Sequence, residues 1–370
     1  MKRYGGIYSK IYNIDNLRIA HKNARRNKLF YKEVKMVDLD EDVYLQQIHQ
    51  MLVQHEYEVS PYITSKIIDK GKERELCKLP YFPDRIIQWA ILLQVEPIFM
   101  EVFTNFTYAS IKGRGIHKAS RLLESYMQDA DKTRYCLKFD IRKFYPNINH
   151  AILKRLLRKK LKDKDLLVLL DKIIDSVEGN KGIPIGSYLS QFFANFYLSY
   201  FDHWLKENMK CKYVIRYMDD IVILHHSKEH LHTLKRAIDE YLLTNLDLDI
   251  KKNWQVFPTG IRGVDFVGYR HFYGYKLLRK STCKRLKKKM LAIKRKMMRG
   301  GALTYSEWCS ANSYSGWTKW CNGYRLMRKY YEPIRLFLKE YCTSQIKKKK
   351  VIQCDSSQKL KVVQNKQSLL

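Results

Sequence analysis

The spacing of apolar residues predicts mainly helices in the N-terminal part of the chain. The basic stretch 1–75 follows a mostly helical pattern, an amphipathic helix is predicted over 81–103 after Pro80, and another follows the glycine-broken segment 110–115. The apolar positions behind these predictions are Val43, Leu45, Ile48, Met51, Leu52, Ile86, Ile87, Ala90, Ile91, Leu92, Ile116, Ala119, Leu122, Leu123, Tyr126 and Met127. The set from Val43 to Leu52 falls on one face of a helix, as expected for a helix that packs on a core.

Runs of β-branched and apolar residues predict strands in the central part of the chain. Residues 135–140 (YCLKFD) are typical of a buried strand that ends on an acid. The runs 213–217 (YVIRY) and 221–224 (IVIL) flank a tight turn, which is the pattern of a hairpin, and another hairpin is predicted near 264–278. Helices are predicted between and after these runs, over 151–178, 187–204 and 229–246.

The C-terminal part is strongly basic. Of the 25 residues from 276 to 300, 12 are Lys or Arg. A helix packed on one side only is predicted here from a single apolar stripe, formed by Leu286, Met290, Ile293 and Met297. Residues 304–342 are rich in aromatic side chains, whereas 346–370 consist largely of Lys, Gln and Ser, which predicts a disordered basic tail.

The charge of the whole chain points to a polyanionic partner. Among 370 residues, 70 Lys and Arg stand against 37 Asp and Glu, which gives a formal net charge of +33. A soluble surface alone rarely needs such an excess, so binding to nucleic acid is favoured over it. The length allows one large domain or two to three small ones.

Cysteine use and hydropathy indicate a reducing, cytoplasmic setting without a membrane. The eight cysteines form no CxxC pair, so a structural zinc site has little support. The N-terminal residues contain no apolar signal core, and no run approaches 18 consecutive apolar residues.

Three carboxylates carry the candidate chemistry. Asp140 ends the predicted strand 135–140, and Asp219 and Asp220 lie at the tip of the predicted hairpin. Adjacent carboxylates repel each other, and divalent cations offset that repulsion well. Phosphoryl transfer to a 3′-hydroxyl uses two metal ions roughly 4 Å apart, and hard oxygen ligands suit Mg²⁺. An Asp pair at a turn is also common without any function, but Asp140 and the basic context favour a two-Mg²⁺ site.

Six ordered segments resemble the motifs of reverse transcriptases. YMDD (217–220) looks like the catalytic box of these enzymes, and FDIRKFYPNI (139–148) resembles their first catalytic motif. The other matching segments are KLPYFPDRIIQWAILLQVEPIF (78–99), YASIKGRGIHKA (108–119), GIPIGSYLSQFFANFYL (182–198) and FVGYR (266–270), which resembles the primer-grip hairpin. YMDD alone is a weak signal, whereas the ordered set is a strong one.

The resemblance implies an α+β right-hand polymerase fold with helical fingers, an RRM-like antiparallel palm and a helical thumb. The implied fingers span 1–134, and the palm spans 135–276 with a helical finger insertion near 150–180. The thumb would follow over 277–345 and the tail over 346–370. The implied activity is RNA-directed DNA polymerisation from deoxynucleoside triphosphates with two Mg²⁺ ions, acting on template RNA and an RNA–DNA duplex.

The middle motif resembles that of reverse transcriptases from diversity-generating retroelements. Most reverse transcriptases carry Gln-Gly and later Ser-Pro there, but this chain has Ile185-Gly186 and Ser190-Gln191. NWQVFP (253–258) and SYSGW (313–317) resemble the same group, for which added DNA-binding or endonuclease segments are not expected. The implied role is error-prone cDNA synthesis from a template-repeat RNA in a bacterial or phage-encoded element. An accessory variability protein that forms a ring is the implied partner.

Residue roles follow from the matching motif positions. Asp140, Asp219 and Asp220 match the catalytic metal-binding acids, and Ile141 would offer its backbone carbonyl to a metal ion. Tyr145 matches the gate against a ribose 2′-hydroxyl. Further nucleotide-binding candidates are Arg85, Lys112 and Arg114 for the triphosphate, and Ile185 and Gly186 beside the nascent base pair.

Other roles concern fidelity and the grip on nucleic acid. Ile185 and Gln191 are the fidelity candidates, and Gly268 would permit a close turn at the primer grip. The basic helix would hold the duplex by its phosphates through Lys284, Arg285, Lys287, Lys288 and Lys289.

Two rival interpretations remain open at the level of sequence. One is a group II-like reverse transcriptase with another role, such as a defence or CRISPR-associated one. The other is a non-catalytic basic RNA-binding scaffold. Ile185 and Gln191 favour the diversity-generating group over the first rival, and the three intact acids argue against the second.

Overall fold

The computed structural model describes residues 2–69, 72–184 and 187–343, without the side chains of 67–76. Two predicted features, the Ile185–Gly186 pair and the tail over 346–370, lie outside the described residues. The chain forms two compact units, Met1–Thr259 and Gly260–Leu370.

The first unit begins with four helices and a hairpin. Asn13 caps the second helix by accepting hydrogen bonds from the amides of Asp15 and Asn16. The helices are α1 (Tyr8–Ile11), α2 (Ile14–Ala24), α3 (Lys32–Leu39) and α4 (Glu41–Val53), and the antiparallel strands are β1 (Ile63–Asp69) and β2 (Lys72–Lys78). The mostly helical prediction for 1–75 is wrong over β1 and the start of β2, because the β-branched run of β1 favours an extended backbone.

Helices of the first unit surround a large apolar core. The helix predicted over 81–103 has its regular part at α5, which is buried on nearly every side. The region predicted to be helical over 151–178 contains two helices, and the Asp163 carboxylate caps the second of them while also accepting hydrogen bonds from the amides of Ile7 and Tyr8. The helices are α5 (Ile86–Met100), α6 (Ile116–Tyr126), α7 (Phe144–Asn147), α8 (His150–Arg158), α9 (Lys164–Asp175), α10 (Tyr188–Tyr197) and α11 (Ser199–Glu207).

A four-stranded antiparallel sheet forms the centre of the first unit. Its strands are β3 (Tyr135–Asp140), β4 (Tyr213–Tyr217), β5 (Asp220–His225) and β6 (Gln255–Pro258), with α12 (Lys228–Leu246) between the last two. The order β4-β5-β3-β6, with helices α10 and α11 before β4, is the split βαβ arrangement of ferredoxin-like folds. Both β3 and β4 have the predicted bounds, while β6 was not predicted. The α+β class is confirmed.

One face of this sheet packs against the helices. Leu137, Phe139, Ile221 and Ile223 alternate with residues of the other face and belong to the same core as the α10 aromatic residues. This burial fixes the register of β3 against β5, because a slip by one residue would turn every side chain to the opposite face. The register pairs Asp140 directly with Asp220.

The second unit combines a small sheet with helices. The region predicted as a hairpin near 264–278 has three antiparallel strands in the order β7-β8-β9. The predicted apolar stripe of the basic helix is confirmed, since Leu286, Met290 and Ile293 are buried. The elements are α13 (Thr259–Arg262) at the junction, β7 (Val264–Phe266), β8 (Tyr269–Phe272), β9 (Tyr275–Leu278), α14 (Lys280–Met298), α15 (Tyr305–Thr318) and α16 (Tyr324–Tyr330), followed by helical residues 335–343.

Gly268 makes the close approach that its motif predicts, within the second unit. Its φ is +92°, and a Cβ at this position would lie 2.5 Å from Trp317. Gly274 has a similar φ of +77° but no atom within 4 Å of such a Cβ. A side chain at Gly274 would therefore cause backbone strain alone, whereas a side chain at Gly268 would cause backbone strain and a steric clash.

We expect Gly268→Ala to lower the free energy of unfolding more than Gly274→Ala does. Both changes cost about 1–2 kcal/mol for an L-residue in the left-handed region, and overlap with Trp317 adds about 1–3 kcal/mol only at Gly268. Urea unfolding of the three proteins measures the difference. Equal losses for both variants would contradict the close contact with Trp317.

Candidate active site

A two-residue turn places Asp219 at the tip of the β4–β5 hairpin. Tyr217 pairs with Asp220 across the hairpin, which leaves Met218 and Asp219 as the turn residues. Met218 has a φ of +58°, a conformation that non-glycine residues adopt infrequently. The turn is therefore tight, and its backbone is held in a sparsely populated geometry.

Asp140 and Asp219 face a shared cation. The Ile141 amide donates to the Asp219 carbonyl oxygen over 3.2 Å, which ties the end of β3 to the turn. Lys251 Nζ lies 3.7 Å from Asp140 Oδ1 and 3.7 Å from Asp219 Oδ2. The Lys251 amide also donates to the Asp140 carbonyl oxygen over 2.9 Å, so backbone pairing carries this lysine to the site. Sequence reasoning missed Lys251, because its approach depends on a contact between distant segments.

Asp220 has a different environment. Lys138, two residues before Asp140 on the same strand face, donates to both Asp220 carboxylate oxygens over 2.8 and 3.1 Å. Burial raises the Asp220 pKa to about 6, although Lys138 opposes that shift. Burial also raises the Asp219 pKa, and Asp140 adds to this effect while Lys251 opposes it. Lys138 therefore contacts Asp220, whereas Lys251 lies near both Asp140 and Asp219.

The donor set around Asp140 and Asp219 fits a hard divalent cation. Within 2–69, 72–184 and 187–343, no group of three or more His, Cys, Asp or Glu side chains is arranged to hold a metal ion. Mg²⁺, however, is commonly bound by one or two carboxylates together with substrate phosphates and water. A lysine ammonium already bridges these two carboxylates, which shows that the pair accommodates positive charge. The metal role of Asp220 and of the Ile141 carbonyl stays a prediction.

Tyr145 lies beside the turn. Its hydroxyl is 3.8 Å from Met218 Sδ, and burial together with the Asp219 charge raises its pKa. The Ile183 amide donates to the Tyr145 carbonyl oxygen over 3.1 Å, so the segment that leads into Ile185 begins next to Tyr145. The structure brings the predicted sugar gate to the predicted catalytic acids.

Arg85 and Gln191 line one cavity of about 270 Å³ in the first unit. Trp89 and Tyr188 stack at its wall with ring centroids 4.9 Å apart. Gln88 is also part of the lining, and its buried side-chain nitrogen has no hydrogen-bond partner. The two residues were predicted for different tasks, nucleotide binding and fidelity, yet they share this cavity.

Arg114 and Lys112 differ in their surroundings. Arg114 Nη1 donates to the carbonyl oxygens of Thr104 and Thr107 over 2.7 and 2.8 Å, so the guanidinium holds its own loop. Lys112 is exposed. Contact of either side chain with a triphosphate stays a prediction.

Comparison with known proteins identifies the family. A family model described as "Reverse transcriptase (RNA-dependent DNA polymerase)" matches residues 65–271, which is more than half of the chain. The chain belongs to the reverse transcriptase family. The matched range includes Asp140, Tyr145, Asp219 and Asp220.

The curated relatives of this reverse transcriptase are distant in sequence. Protein YkfC of Escherichia coli (strain K12) is 29% identical over 147 residues, which cover 37% of this chain and 38% of YkfC. The group II intron-encoded protein LtrA of Lactococcus lactis subsp. cremoris is 28% identical over 160 residues, which cover 41% of this chain and 26% of LtrA. The matches thus span less than half of these curated relatives. A solved telomerase from Candida albicans aligns with a TM-score of 0.45 at 12% identity, covering 67% of this chain and 55% of the other.

The predicted grip residues of the reverse transcriptase lie in the second unit. Lys284, Arg285 and Lys288 are exposed on α14. The Lys287 ammonium instead lies over the Tyr330 ring, 5.6 Å from its centroid, and so takes part in packing. Lys289 is partly buried. None of the helices in the described part of the chain is long and apolar enough to cross a membrane.

We expect Lys251→Met to increase the stabilisation that Mg²⁺ gives to the reverse transcriptase. Without metal, losing the partly exposed cation should lower the free energy of unfolding by roughly 0.5–1 kcal/mol. With metal, Mg²⁺ no longer competes with an ammonium for the two carboxylates, so its binding stabilises the fold more. Thermal unfolding with and without MgCl₂ measures the shift.

The neighbouring exposed Lys252 supplies a control of equal charge. Lys252→Met should show the Mg²⁺-induced shift of the unmodified chain. If Mg²⁺ raises the unfolding temperature of both variants and of the unmodified protein equally, Lys251 does not share a site with Mg²⁺.

Proposed function

We propose that this chain is an RNA-directed DNA polymerase whose catalytic centre is formed by Asp140, Asp219 and Asp220. The observation that carries the proposal is the convergence of Asp140 and Asp219 on one cation at the tip of a rigid hairpin. The ferredoxin-like sheet beneath them serves as the palm, with the N-terminal helices as fingers and the helices from α14 onward as thumb.

The side chains of the catalytic centre have different roles in nucleotidyl transfer. Asp140 and Asp219 would hold two Mg²⁺ ions, which would lower the pKa of the primer 3′-hydroxyl and neutralise the charge of the triphosphate. The rigid ends of β3 and β5 keep these carboxylates in place while template and nucleotide exchange. Asp220, fixed by Lys138, adds negative charge beside the primer terminus. Arg85, Lys112 and Arg114 supply positive charge for the phosphates of the incoming nucleotide.

Tyr145 acts as the gate against ribonucleotides. Its ring lies beside Met218 and the Asp219 charge, so a sugar bound at the acids meets this ring. Tyr145 is partly buried and packed against the core, so its ring cannot move aside without loss of packing, and a 2′-hydroxyl would clash with it. The same ring packs against the core, and the two roles are compatible.

The thumb binds template RNA and the RNA–DNA duplex through α14. Lys284, Arg285 and Lys288 offer exposed cations from one helix that is anchored by its apolar stripe. Such contacts position the duplex by its phosphates without reading its sequence. Gly268 allows β7 and β8 to approach Trp317 closely at the primer grip.

The central test is Asp219→Asn, which keeps the side-chain shape and removes the charge. We expect primer extension on an RNA template to fall about a thousandfold or more, since metal clamping supplies several kcal/mol and ~1.4 kcal/mol is tenfold. RNA binding should persist, because it depends on Lys and Arg elsewhere. Steady-state extension rates and a filter-binding assay measure the two effects.

Asp131→Asn is the matched control. The Asp131 side chain is 95% exposed and forms a surface ion pair with Arg134, so extension should not change. Near-normal synthesis by the Asp219→Asn variant would overturn the assignment of the catalytic centre. Absence of synthesis by the unmodified chain would favour the rival role of a non-catalytic RNA-binding scaffold.

We further propose that the enzyme makes error-prone cDNA from a template-repeat RNA in a diversity-generating retroelement. Ile185-Gly186 and Ser190-Gln191 support this subtype, and an accessory variability protein that forms a ring would be its partner. Gln191 and Arg85 share one cavity, which gives the fidelity candidate a place near a nucleotide-binding candidate. The rival is another role for a group II-like enzyme, and the similarity to LtrA supports that alternative.

Ile185→Gln tests the proposed source of errors. A glutamine amide can hydrogen-bond near a correct nascent pair, whereas isoleucine has no donor or acceptor. Recovering ~1.4 kcal/mol of discrimination would lower misincorporation about tenfold, most clearly opposite template adenine. Sequencing of cDNA made on one adenine-containing RNA, with the accessory protein present, measures the error spectrum.

Ile185→Val is the control for packing alone. It keeps an apolar β-branched side chain and should leave the errors as they are. Identical spectra for the glutamine variant and the unmodified enzyme would mean that Ile185 only packs its motif.

A further inference from the structure

A completely buried ion pair lies under the catalytic turn. Arg216 on β4 and Asp202 on α11 both have fully buried side chains. Arg216 Nε donates to Asp202 Oδ1 over 2.7 Å, and Nη2 donates to Oδ2 over 2.5 Å. Thr107 adds a third contact, since its hydroxyl donates to Asp202 Oδ2 over 2.9 Å. The charges therefore neutralise each other inside the first unit.

The remaining nitrogen of Arg216 reaches the turn itself. Nη1 donates to the carbonyl oxygen of Met218 over 3.0 Å and to Asn195 Oδ1 over 3.2 Å. Met218 precedes Asp219 and has the positive φ that makes this turn costly for a side-chain-bearing residue. The guanidinium thus holds the one strained residue whose conformation sets the direction of Asp219.

The same ion pair is continuous with the loop that carries Lys112 and Arg114. The Arg216 amide donates to the Phe106 carbonyl oxygen over 2.9 Å, and the Tyr108 amide donates to the Arg216 carbonyl oxygen over 3.1 Å. Arg114 in turn holds the carbonyl oxygen of Thr107. A chain of hydrogen bonds therefore runs from this loop through Asp202 to the catalytic turn.

Stability alone does not explain a buried ion pair of this kind. Desolvation of two charges offsets most of their attraction, and well-packed apolar residues of similar volume are often equally stable. What apolar residues cannot supply is a donor aimed at the Met218 carbonyl oxygen. The geometry therefore fits a requirement for a defined turn.

We propose that Arg216 is a positioning residue of the polymerase, held in place by Asp202, which fixes the Met218 carbonyl and thereby the direction of the Asp219 carboxylate. This inference depends on the proposed catalytic centre. The side chain of Arg216 is completely buried, away from any bound substrate. It acts through the backbone of the turn.

The test uses Arg216→Lys and the double variant Arg216→Met with Asp202→Leu. Lysine keeps the charge next to Asp202 but cannot also reach Met218, so the fold should persist. The double variant removes both charges, so that no buried charge is left without its partner. We expect both to lower kcat for primer extension about a hundredfold, as a misplaced reacting group does, and to raise the Mg²⁺ concentration for half-maximal rate.

Tyr8→Phe is the control for loss of a buried hydrogen bond elsewhere in the first unit. The Tyr8 hydroxyl donates to the Leu52 carbonyl oxygen over 2.6 Å, far along the chain from the turn. This variant should lose some thermal stability but keep kcat and the Mg²⁺ requirement. An Arg216→Lys enzyme that behaves like Tyr8→Phe would overturn the inference.

Hydrogen exchange separates this inference from the proposed function. The Ile141 amide donates to the Asp219 carbonyl oxygen, so its exchange rate reports on the turn without any catalysis. We expect faster exchange at Ile141 and over 217–220 in both Arg216 variants, and unchanged exchange there in Tyr8→Phe. If hydrogen exchange is unchanged in all variants, the positioning role of Arg216 is wrong. If the unmodified chain is inactive but the two Arg216 variants show faster exchange, only the polymerase proposal is wrong.

Discussion

Repulsion between carboxylates is the constraint around which the first unit is built. Asp140, Asp219 and Asp220 come together because the register of β3 against β5 is fixed by the buried face of the sheet. Their charges would drive them apart without nearby cations. Two lysines provide these cations. Lys138 lies within β3, and Lys251 lies in the segment whose backbone pairs with the end of β3.

The parts of the fold that the sequence predicts well depend on local patterns. Strands β3 and β4 have the predicted bounds, since their apolar runs are short and an aspartate lies at the end of β3 and two residues beyond the end of β4. The stripe on α14 is buried as predicted, because a helical period can be read within a few turns. Asp140 and Asp219, whose catalytic role stays a prediction, could be singled out because each belongs to a motif that is contiguous in the chain.

The parts that the sequence does not predict depend on contacts between distant segments. Lys251 is one of 70 basic residues, and only the pairing of its backbone with Asp140 singles it out. Arg216 sits in a strand-like run, where nothing local shows that Asp202 neutralises it. The β1–β2 hairpin was not predicted, because its charged residues interrupt the alternation of apolar and polar positions that marks a strand. The division at Thr259–Gly260 likewise follows from packing, which places the strands after it with the C-terminal helices.

The three candidate catalytic acids, Asp140, Asp219 and Asp220, are chemically unequal, and the inequality has a physical origin. Asp220 is bound by a lysine of its own sheet, which donates to both of its oxygens, so its charge is largely satisfied within the protein. Asp140 and Asp219 share one more distant lysine, at 3.7 Å from each, which is too long for strong hydrogen bonds. Their charge is thus the less satisfied and the more available to an entering cation. A motif of adjacent aspartates therefore does not by itself assign equal roles, because the surrounding lysines decide which carboxylates remain open.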